Sequence, residues 1–324
     1  MLASLTLHIS QIISGYIIQN LGVRYTFGIT ALVFIPLFAS IFVFVPETVY
    51  NRVLQSGAVD VVQKDDSSSL TNTSSNVEKS RPSTAFKLTV FRGRVSSKSF
   101  WREVIRPFPL MVYPAVIFSS LIYGSFFTWF VVLTVLSVPI YSSPPYNLNP
   151  AQIGLTNLPL LATGMLGSAI SGWMVDKIAR SMARKNGGIY EPEFRLTLMA
   201  VGTVLSTVAF FGFGYTAQIG APLPLLLTFS SLHSLASPFA SQAAYTYVTD
   251  CHTEDVNQAF VTMGLIKAIM TFLATTSVNG LFEAWGASKF FYGVAGINLV
   301  ICSFTIPMYI FGKRFRALVS PQGP

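Results

Sequence analysis

The sequence predicts an all-α polytopic membrane protein with about eight transmembrane helices. Only 10% of its 324 residues are charged and 52% are hydrophobic, whereas about a quarter of the residues of a soluble protein are charged. The mean hydropathy is +0.56. The apolar runs are long and continuous, while the strands of a membrane barrel alternate over stretches of about ten residues. These observations place the chain in a lipid bilayer as helices.

A helix needs about 20 mainly apolar residues to cross a bilayer. The first qualifying run starts almost at the N-terminus with no basic residue before it, which is unlike a secretory signal. The predicted spans are residues 2–19, 26–45, 108–137, 151–175, 195–217, 222–248, 257–281 and 288–312.

The segment between the second and third spans, residues 47–107, is predicted to be a cytoplasmic linker. Its centre from Asp65 to Ser75 is rich in serine and cannot bury enough apolar surface to fold. Regulatory phosphorylation of these serines is the alternative role.

Basic residues predict the orientation of the chain. Of the 21 lysines and arginines, ten lie in residues 52–106, five in residues 177–195 and three in residues 313–316. Because basic loops stay on the cytoplasmic side of a membrane, all three segments and both termini are expected there.

Several classes of function find no support in the sequence. Cys251 and Cys302 have no metal-binding spacing, and no carboxylate pair, catalytic triad or phosphate-binding loop can be named. We therefore expect no metal, no cofactor and no enzymatic activity. The net charge of +8 comes from residues between apolar runs, which would meet lipid headgroups, so nucleic acid is not an expected partner.

Five short motifs carry a family resemblance. Residues 172–177 read GWMVDK and are followed by ARKNGGIYEPEFRL at residues 183–196. This stretch resembles the loop between helices eight and nine of fungal major facilitator superfamily transporters, with its G-x-x-x-D-[RK] signature. The other motifs are GYII with GVRYTF at residues 15–18 and 22–27, PETVYNR at 46–52, YVTD at 247–250 and GKRFR at 312–316.

The resemblance implies a division of the chain. The family has twelve helices in two six-helix halves, and this chain looks like helices five to twelve, so helices one to four would be missing before Met1. Residues 1–46 would be the last two helices of the first half, residues 108–312 the second half and residues 313–324 a cytoplasmic tail.

The resemblance also implies a function. The expected activity is transport of a small organic solute by alternating access in the plasma membrane, with protons as an optional coupling ion. The alternative is a truncated, non-transporting membrane protein or a partner of a full-length transporter.

The charges around the GWMVDK motif are predicted to form a cytoplasmic gate. Asp176 ends a span four residues after Gly172, and Lys177, Arg180 and Arg184 follow it. A network of these charges that exists in only one state would hold the two halves together. The alternative is that the charges only set the orientation of the helix.

Gly172 also belongs to a stripe of small residues. Together with Gly164 and Ser168 it recurs every four residues in the fourth span. Small residues let two helix backbones approach closely, so we predict a packing role for this stripe.

Lys267 is the one basic residue well inside a predicted span. If its helix starts near residue 255, the lysine lies roughly 15 to 18 Å along the helix, near the middle of the bilayer. Thr271, Thr275 and Asn279 follow at intervals of four. This polar face is predicted to line the pathway for substrate or coupling ion; the alternatives are a structural pairing with a neighbouring helix and a misplaced span.

His233 is the second candidate inside a span, in a serine-rich helix that Pro238 is predicted to kink. It would carry a proton if it titrates, and the alternative is a neutral, hydrogen-bonded imidazole. Further pathway candidates, each of which could instead bond a neighbouring helix, are Asn157, Gln242, Trp129, Tyr123 and Asn298.

Overall fold

The structure is a computed structural model that describes residues 2–44, 105–253 and 255–319. All but the last residues of the predicted linker, and the end of the predicted tail, lie outside the described residues. Every regular element in the described ranges is helical. The α-helices are α1 (Leu2–Leu21), α2 (Val23–Phe44), α3 (Pro114–Ser142), α4 (Pro150–Leu155), α5 (Asn157–Lys185), α6 (Leu198–Gln218), α7 (Leu223–Cys251), α8 (Val256–Ser303) and α9 (Thr305–Val319), and 3₁₀ turns cover Pro109–Val112 and Pro192–Thr197.

Each predicted span coincides with one or two of these helices. Six segments of the described residues are long and apolar enough to cross a membrane, and α1 is not among them. The last segment, Val256–Arg316, is 61 residues long and contains the seventh and eighth predicted spans. All-α membrane architecture is therefore confirmed.

The chain reverses direction at Gly286 inside α8. This residue has φ 73°, a backbone conformation that glycine adopts without strain. Phe282 and Phe290 lie on either side of it with ring centroids 6.0 Å apart, whereas eight residues of straight helix would separate them by about 12 Å. The two arms of α8 therefore cross the bundle in opposite directions.

Local sequence explains where other helices start and stop. Asn149 and Gln152 form a reciprocal capping box at the start of α4, with the Gln152 backbone N–H 2.8 Å from the Asn149 side-chain oxygen. Pro150 occupies the first helical position, where a missing N–H has no cost. Beyond α5, Gly187 has φ 66° and stops the helix, as a glycine at this position commonly does.

Contacts divide the chain into two units. The first contains the described residues of Met1–Thr26 and Phe100–Pro324, and the second those of Phe27–Ser99, which form most of α2. In the first unit, one buried apolar cluster includes Val116, Tyr247 and Met263. A second cluster includes Leu136 and Phe291. The buried faces of the helices meet in these two clusters.

One end of the bundle gathers charged side chains, and we call it the basic end. Ion pairs there join Arg106 to Asp255, Arg195 to Asp250 and Arg316 to Glu193. Among the described residues, these three arginines come from the three basic segments of the sequence, one from each.

Candidate functional site

Lys267 lies on the first arm of α8, where it faces the aromatic rings of α3. Its ammonium nitrogen is 4.5 Å from the ring centre of Phe127 and 5.4 Å from that of Tyr123. The side chain is half-buried. Within the described ranges it forms no ion pair with a carboxylate. The structure thus places a charge against two ring faces, which attract cations through their quadrupoles.

The hydroxyls that follow Lys267 share part of its surroundings. The Thr271 and Thr128 hydroxyl oxygens are 3.0 Å apart, which joins α8 to α3. Thr275 donates to the Thr271 carbonyl at 2.8 Å, within its own helix. Asn279 is exposed. The structure therefore brings Thr271 to the lysine site, whereas Asn279 lies farther along the helix.

Four aromatic rings form a connected row beside Lys267, which we call the aromatic ladder. Neighbouring ring centroids are 6.4 Å apart for Phe127 and Tyr123, 4.8 Å for Tyr123 and Tyr245, and 5.1 Å for Tyr245 and Phe260. All four side chains are half-buried. The ladder crosses from α3 through α7 to α8, and its first two rings, Phe127 and Tyr123, face the lysine.

His233 is fully buried in the centre of the bundle. Its Nδ1 lies 3.1 Å from the Ser206 hydroxyl, which also accepts from the Asn298 amide at 3.5 Å. The ring of Phe126 stacks near it at 6.0 Å. These contacts join α6, α7 and the second arm of α8. A hydrogen-bonded imidazole of this kind is the alternative to a proton carrier that the sequence analysis gave for His233.

A small cavity connects His233 with Asn157. Its lining includes both residues together with Thr134 and Ser230. On the other side of Asn157, its side-chain oxygen is 3.4 Å from Nδ1 of His8 on α1. Asn157 thus links the cavity to α1.

The two remaining pathway candidates, Trp129 and Gln242, contact different helices. The Trp129 ring packs edge-on against Phe210 at 6.5 Å, and its buried N–H has no hydrogen-bond partner among the described residues. Gln242 lies across from Gly172, with its amide nitrogen 3.7 Å from where a β-carbon on that glycine would be. Gln242 therefore contacts the helix that carries the predicted gate.

At the basic end, Arg195 joins the gate motif to the end of α7. Its Nη1 lies 3.2 Å from the Asp176 carboxylate and its Nε 2.5 Å from the Asp250 carboxylate. The Tyr190 hydroxyl donates to the same Asp250 oxygen and accepts from Arg195 Nε at 2.7 Å. One arginine thus connects α5, α7 and the loop before α6.

Burial raises the pKa of the Tyr190 hydroxyl to about 12, and its hydrogen bond to the Asp250 carboxylate acts in the same direction. The tyrosine consequently stays protonated at neutral pH and keeps donating to the carboxylate. The cluster of Asp176, Arg195, Asp250 and Tyr190 is called the arginine cluster below.

The other predicted gate residues lie around this cluster without entering it. Lys177 places its ammonium 4.2 Å from the ring centre of Trp173. Arg180 donates to the backbone carbonyl of Asp176 at 3.2 Å. Arg184 is exposed and forms no ion pair within the part of the chain that the structure describes. Asp176 is thus paired with Arg195 and with none of these three cations.

A second set of ion pairs holds the last helix. Arg316 donates through two nitrogens to the carboxylate of Glu193, at 3.1 and 2.8 Å. The Glu193 side chain is only 4% exposed. Lys313 pairs with Glu191 at 2.9 Å. The residues of both groups of ion pairs lie in motifs that the sequence analysis singled out, at residues 172–177, 183–196, 247–250 and 312–316. Which residue pairs with which could be seen only in the structure.

Comparison with known families and proteins agrees with this architecture. The family model described as Major Facilitator Superfamily matches residues 1–275. Protein HOL1 of Saccharomyces cerevisiae is 26% identical over 64% of the chain, and Efflux pump vrtL of Penicillium aethiopicum is 25% identical over 66%. MFS transporter cpaT of Aspergillus oryzae is 25% identical over 93% of the chain. No solved structure matches the chain.

The chain spans only part of these relatives. The matched regions cover 35% of Protein HOL1, 42% of Efflux pump vrtL and 58% of MFS transporter cpaT.

Proposed function

The chain belongs to the major facilitator superfamily, and from this premise we propose that it carries a small organic solute across a membrane by alternating access. It is an integral multi-pass membrane protein, and two of the relatives named above are called an efflux pump and a transporter. The observation that supports a transport pathway best is Lys267, a charged side chain deep in a membrane helix that meets aromatic rings and hydroxyls instead of a carboxylate. Charges at this depth are costly and usually serve a substrate or ion pathway.

The polar residues inside the predicted spans are proposed to line two sides of one transport route. Substrate or coupling ion would pass Lys267 and Thr271 on one side and the cavity between Asn157 and His233 on the other. Gln242 and Trp129 would border that route, and Thr275 and Asn279 would continue it along α8. Protons are the coupling ion to test first, because His233 is an ionisable side chain that adjoins the cavity.

The proposed gate is the arginine cluster with Gly172, Lys177, Arg180 and Arg184 around it. Alternating access needs contacts that form in one state and break in the other. The Asp176 pair with Arg195 is the more exposed half of the cluster, with 60% of the aspartate side chain accessible. It is therefore the weaker of the two pairs. Both of its partners lie in the predicted second half, so in this proposal the pair breaks to free Asp176 for a contact with the first half.

We place the basic end in the cytoplasm and the protein in the plasma membrane. The support for the orientation is the concentration of lysine and arginine in the predicted cytoplasmic segments of the sequence. In a variant without Cys251 and Cys302, an impermeant thiol reagent should label Ser143→Cys on intact cells and Asn186→Cys only after permeabilisation. The reverse pattern would contradict the orientation.

Solute uptake by proteoliposomes tests the transport activity itself. A panel of radiolabelled organic anions, cations and neutral solutes would be offered to protein reconstituted as the full chain. We expect uptake of at least one solute, its loss in Lys267→Met, and its retention in Lys289→Met, which removes an equal charge from an exposed position.

Uptake of no solute would favour the second candidate, a non-transporting membrane protein that acts as a partner of a longer transporter. The observation behind this candidate is that the chain covers less than two thirds of each relative named above.

A further inference from the structure

We propose that Lys267 and the aromatic ladder form a binding site for a planar aromatic carboxylate. This inference rests on the proposed transport function, since it names the chemical class of the solute. Its elements are the half-buried Lys267 side chain, the two rings that its ammonium faces, and the two further rings that contact them in sequence. None of the sequence motifs singled out above includes these rings.

Charge determines the first feature of the ligand. The Lys267 ammonium is 4.5 Å from the Phe127 ring centre and has no carboxylate partner among the described residues. Ring faces attract a cation but do not neutralise its formal charge. A half-buried ammonium without a counter-ion therefore favours a ligand that brings an anionic group.

Ring geometry determines the second feature. Aromatic pairs are favourable when their centroids lie about 4.5 to 7 Å apart in offset or edge-on arrangements. The ladder already shows this spacing at Tyr123, Tyr245 and Phe260, and each ring keeps part of its surface accessible. A flat aromatic ligand can extend this row while its carboxylate meets the lysine.

Hydroxyl groups add a polar contact next to the ammonium. Thr271 lies one helical turn beyond Lys267, and its hydroxyl is paired with that of Thr128. Residues four apart in a helix lie on the same face. The Thr271 hydroxyl donates to the Lys267 carbonyl at 2.9 Å, so it makes the surroundings of a carboxylate at Lys267 polar without donating a hydrogen bond to it.

The position of Lys267 argues for a free solute over a lipid headgroup as the source of the anion. The residue lies eleven positions after the first residue of α8, Val256, or about 17 Å along the helix. That is close to the middle of a hydrocarbon core about 30 Å thick. The phosphates of lipid headgroups lie at the surface of this hydrocarbon core, about 15 Å from the lysine.

The test compares two probes of nearly equal shape, 1-naphthoate and its neutral amide, 1-naphthamide. Binding to the purified full chain in a neutral detergent is followed by probe fluorescence, so no transport is needed. We expect wild type to bind the carboxylate roughly tenfold or more tightly than the amide, because a hydrogen bond between two charged groups is stronger than one to a neutral amide. Lys267→Gln should bind the two probes equally.

Two further variants separate charge from stacking. Lys289→Gln removes the same charge from an exposed position and should keep the preference for the carboxylate. Tyr123→Leu should weaken both probes by a similar factor, because it removes ring surface and leaves the ammonium. Lys267→Arg should keep the preference, and thermal unfolding of each variant shows that loss of binding is not loss of fold.

Three results would overturn the proposal: no binding of either probe, equal binding of both by wild type, and an unchanged preference in Lys267→Gln. Displacement of 1-naphthoate by phosphatidylglycerol at equal concentration would assign the anion site to lipid and would equally overturn it. Binding that behaves as expected, in a protein that takes up no solute of the panel, would leave this site in place and contradict the transport function.

Discussion

At the scale of single residues, Arg195 is the group on which the basic end depends. Its side chain is 18% exposed and contacts two carboxylates that differ in accessibility, Asp176 at 60% and Asp250 at 22%. A charge pair in water contributes little, whereas a hydrogen-bonded and partly buried one contributes more. The two halves of the arginine cluster should therefore differ in their effect on stability.

We expect Asp250→Asn to lower the free energy of unfolding by about 1.5 to 3 kcal/mol, because a charge-assisted hydrogen bond to Arg195 is lost. Asp176→Asn should cost at most about 1 kcal/mol, since solvent screens that pair. Unfolding of the purified protein in mixed micelles of increasing SDS content measures both. Arg195→Lys keeps the charge without the planar fork and should resemble Asp250→Asn. Equal losses in the two aspartate variants would contradict the ranking.

The raised pKa of Tyr190 predicts a pH dependence of stability. The protonated hydroxyl is favoured in the folded state, so its contribution is complete below the ordinary tyrosine pKa of 10.0 and is lost as pH rises toward about 12. Thermal unfolding of wild type and Tyr190→Phe should therefore differ most at pH 8 to 9 and converge by about pH 12. A constant difference across this range would show that the hydroxyl does not titrate with folding.

Some site residues could be found from the sequence and others could not. Asp176 and Lys267 stand out because a charge at the end of a membrane helix, or inside one, has few structural explanations. Arg195 and Asp250 looked like ordinary charges at span ends, since their pairing depends on how the loop before α6 folds onto α7. Of the aromatic ladder, the sequence suggested Tyr123 as a pathway candidate, but nothing distinguished Phe127, Tyr245 and Phe260 among 27 phenylalanines and 13 tyrosines.

At the scale of helices, α5 approaches the backbone of α7 closely at Gly167. A β-carbon there would lie 2.5 Å from the carbonyl oxygen of Leu235 and 3.2 Å from its Cα. The predicted stripe of small residues contains Gly172, where the nearest atom would be 3.7 Å away. The spacing of small residues predicted a packing role for α5. Of the two glycines, Gly167 rather than Gly172 faces the backbone of α7, and this depends on where α7 lies.

This difference gives a matched pair of variants on one helix. Gly167→Ala should destabilise the protein by about 1 to 3 kcal/mol, because the obstacle is backbone and cannot move aside. Gly172→Ala meets only ordinary contacts and should be neutral or slightly stabilising, since alanine favours helix over glycine by roughly 0.5 to 1 kcal/mol. SDS unfolding of both variants decides the matter, and equal effects would contradict the assigned contact.

Helix boundaries followed from apolar length and turn residues in most of the chain. The predicted gap between residues 281 and 288 contains Gly286, where the structure shows the reversal. The short helix α4 begins at the Asn149 and Gln152 capping box. The hydropathy pattern did not predict a break between α4 and α5, because the apolar run continues through both. Hydropathy measures the length of a crossing and not the breaks inside it.

At the scale of the whole molecule, α1 docks on α4 and α5, with close backbone contact at α4. A β-carbon on Gly15 would lie 2.6 Å from the Pro150 carbonyl oxygen and 3.1 Å from the Gly154 Cα. Farther along, His8 meets Asn157 at 3.4 Å. In the division that the family resemblance predicts, this is a contact between the two halves, so it must rearrange if the halves rock during transport.

Cross-linking at this contact tests that movement. In a background of Cys251→Ser and Cys302→Ala, the pair His8→Cys and Asn157→Cys should react with a bifunctional thiol reagent of about 5 Å span, because the two side chains meet in the structure. With the cross-link in place, uptake of any transported solute from the panel should stop, since the helices can no longer separate. Because Asn157 lines the proposed route, the loss is measured against the same double variant before cross-linking. His8→Cys treated alone with the same reagent controls for modification, and should keep most of its uptake. Complete cross-linking with undiminished uptake would mean that α1 and α5 move as one body, and the rocking interface would then have to lie elsewhere in the protein.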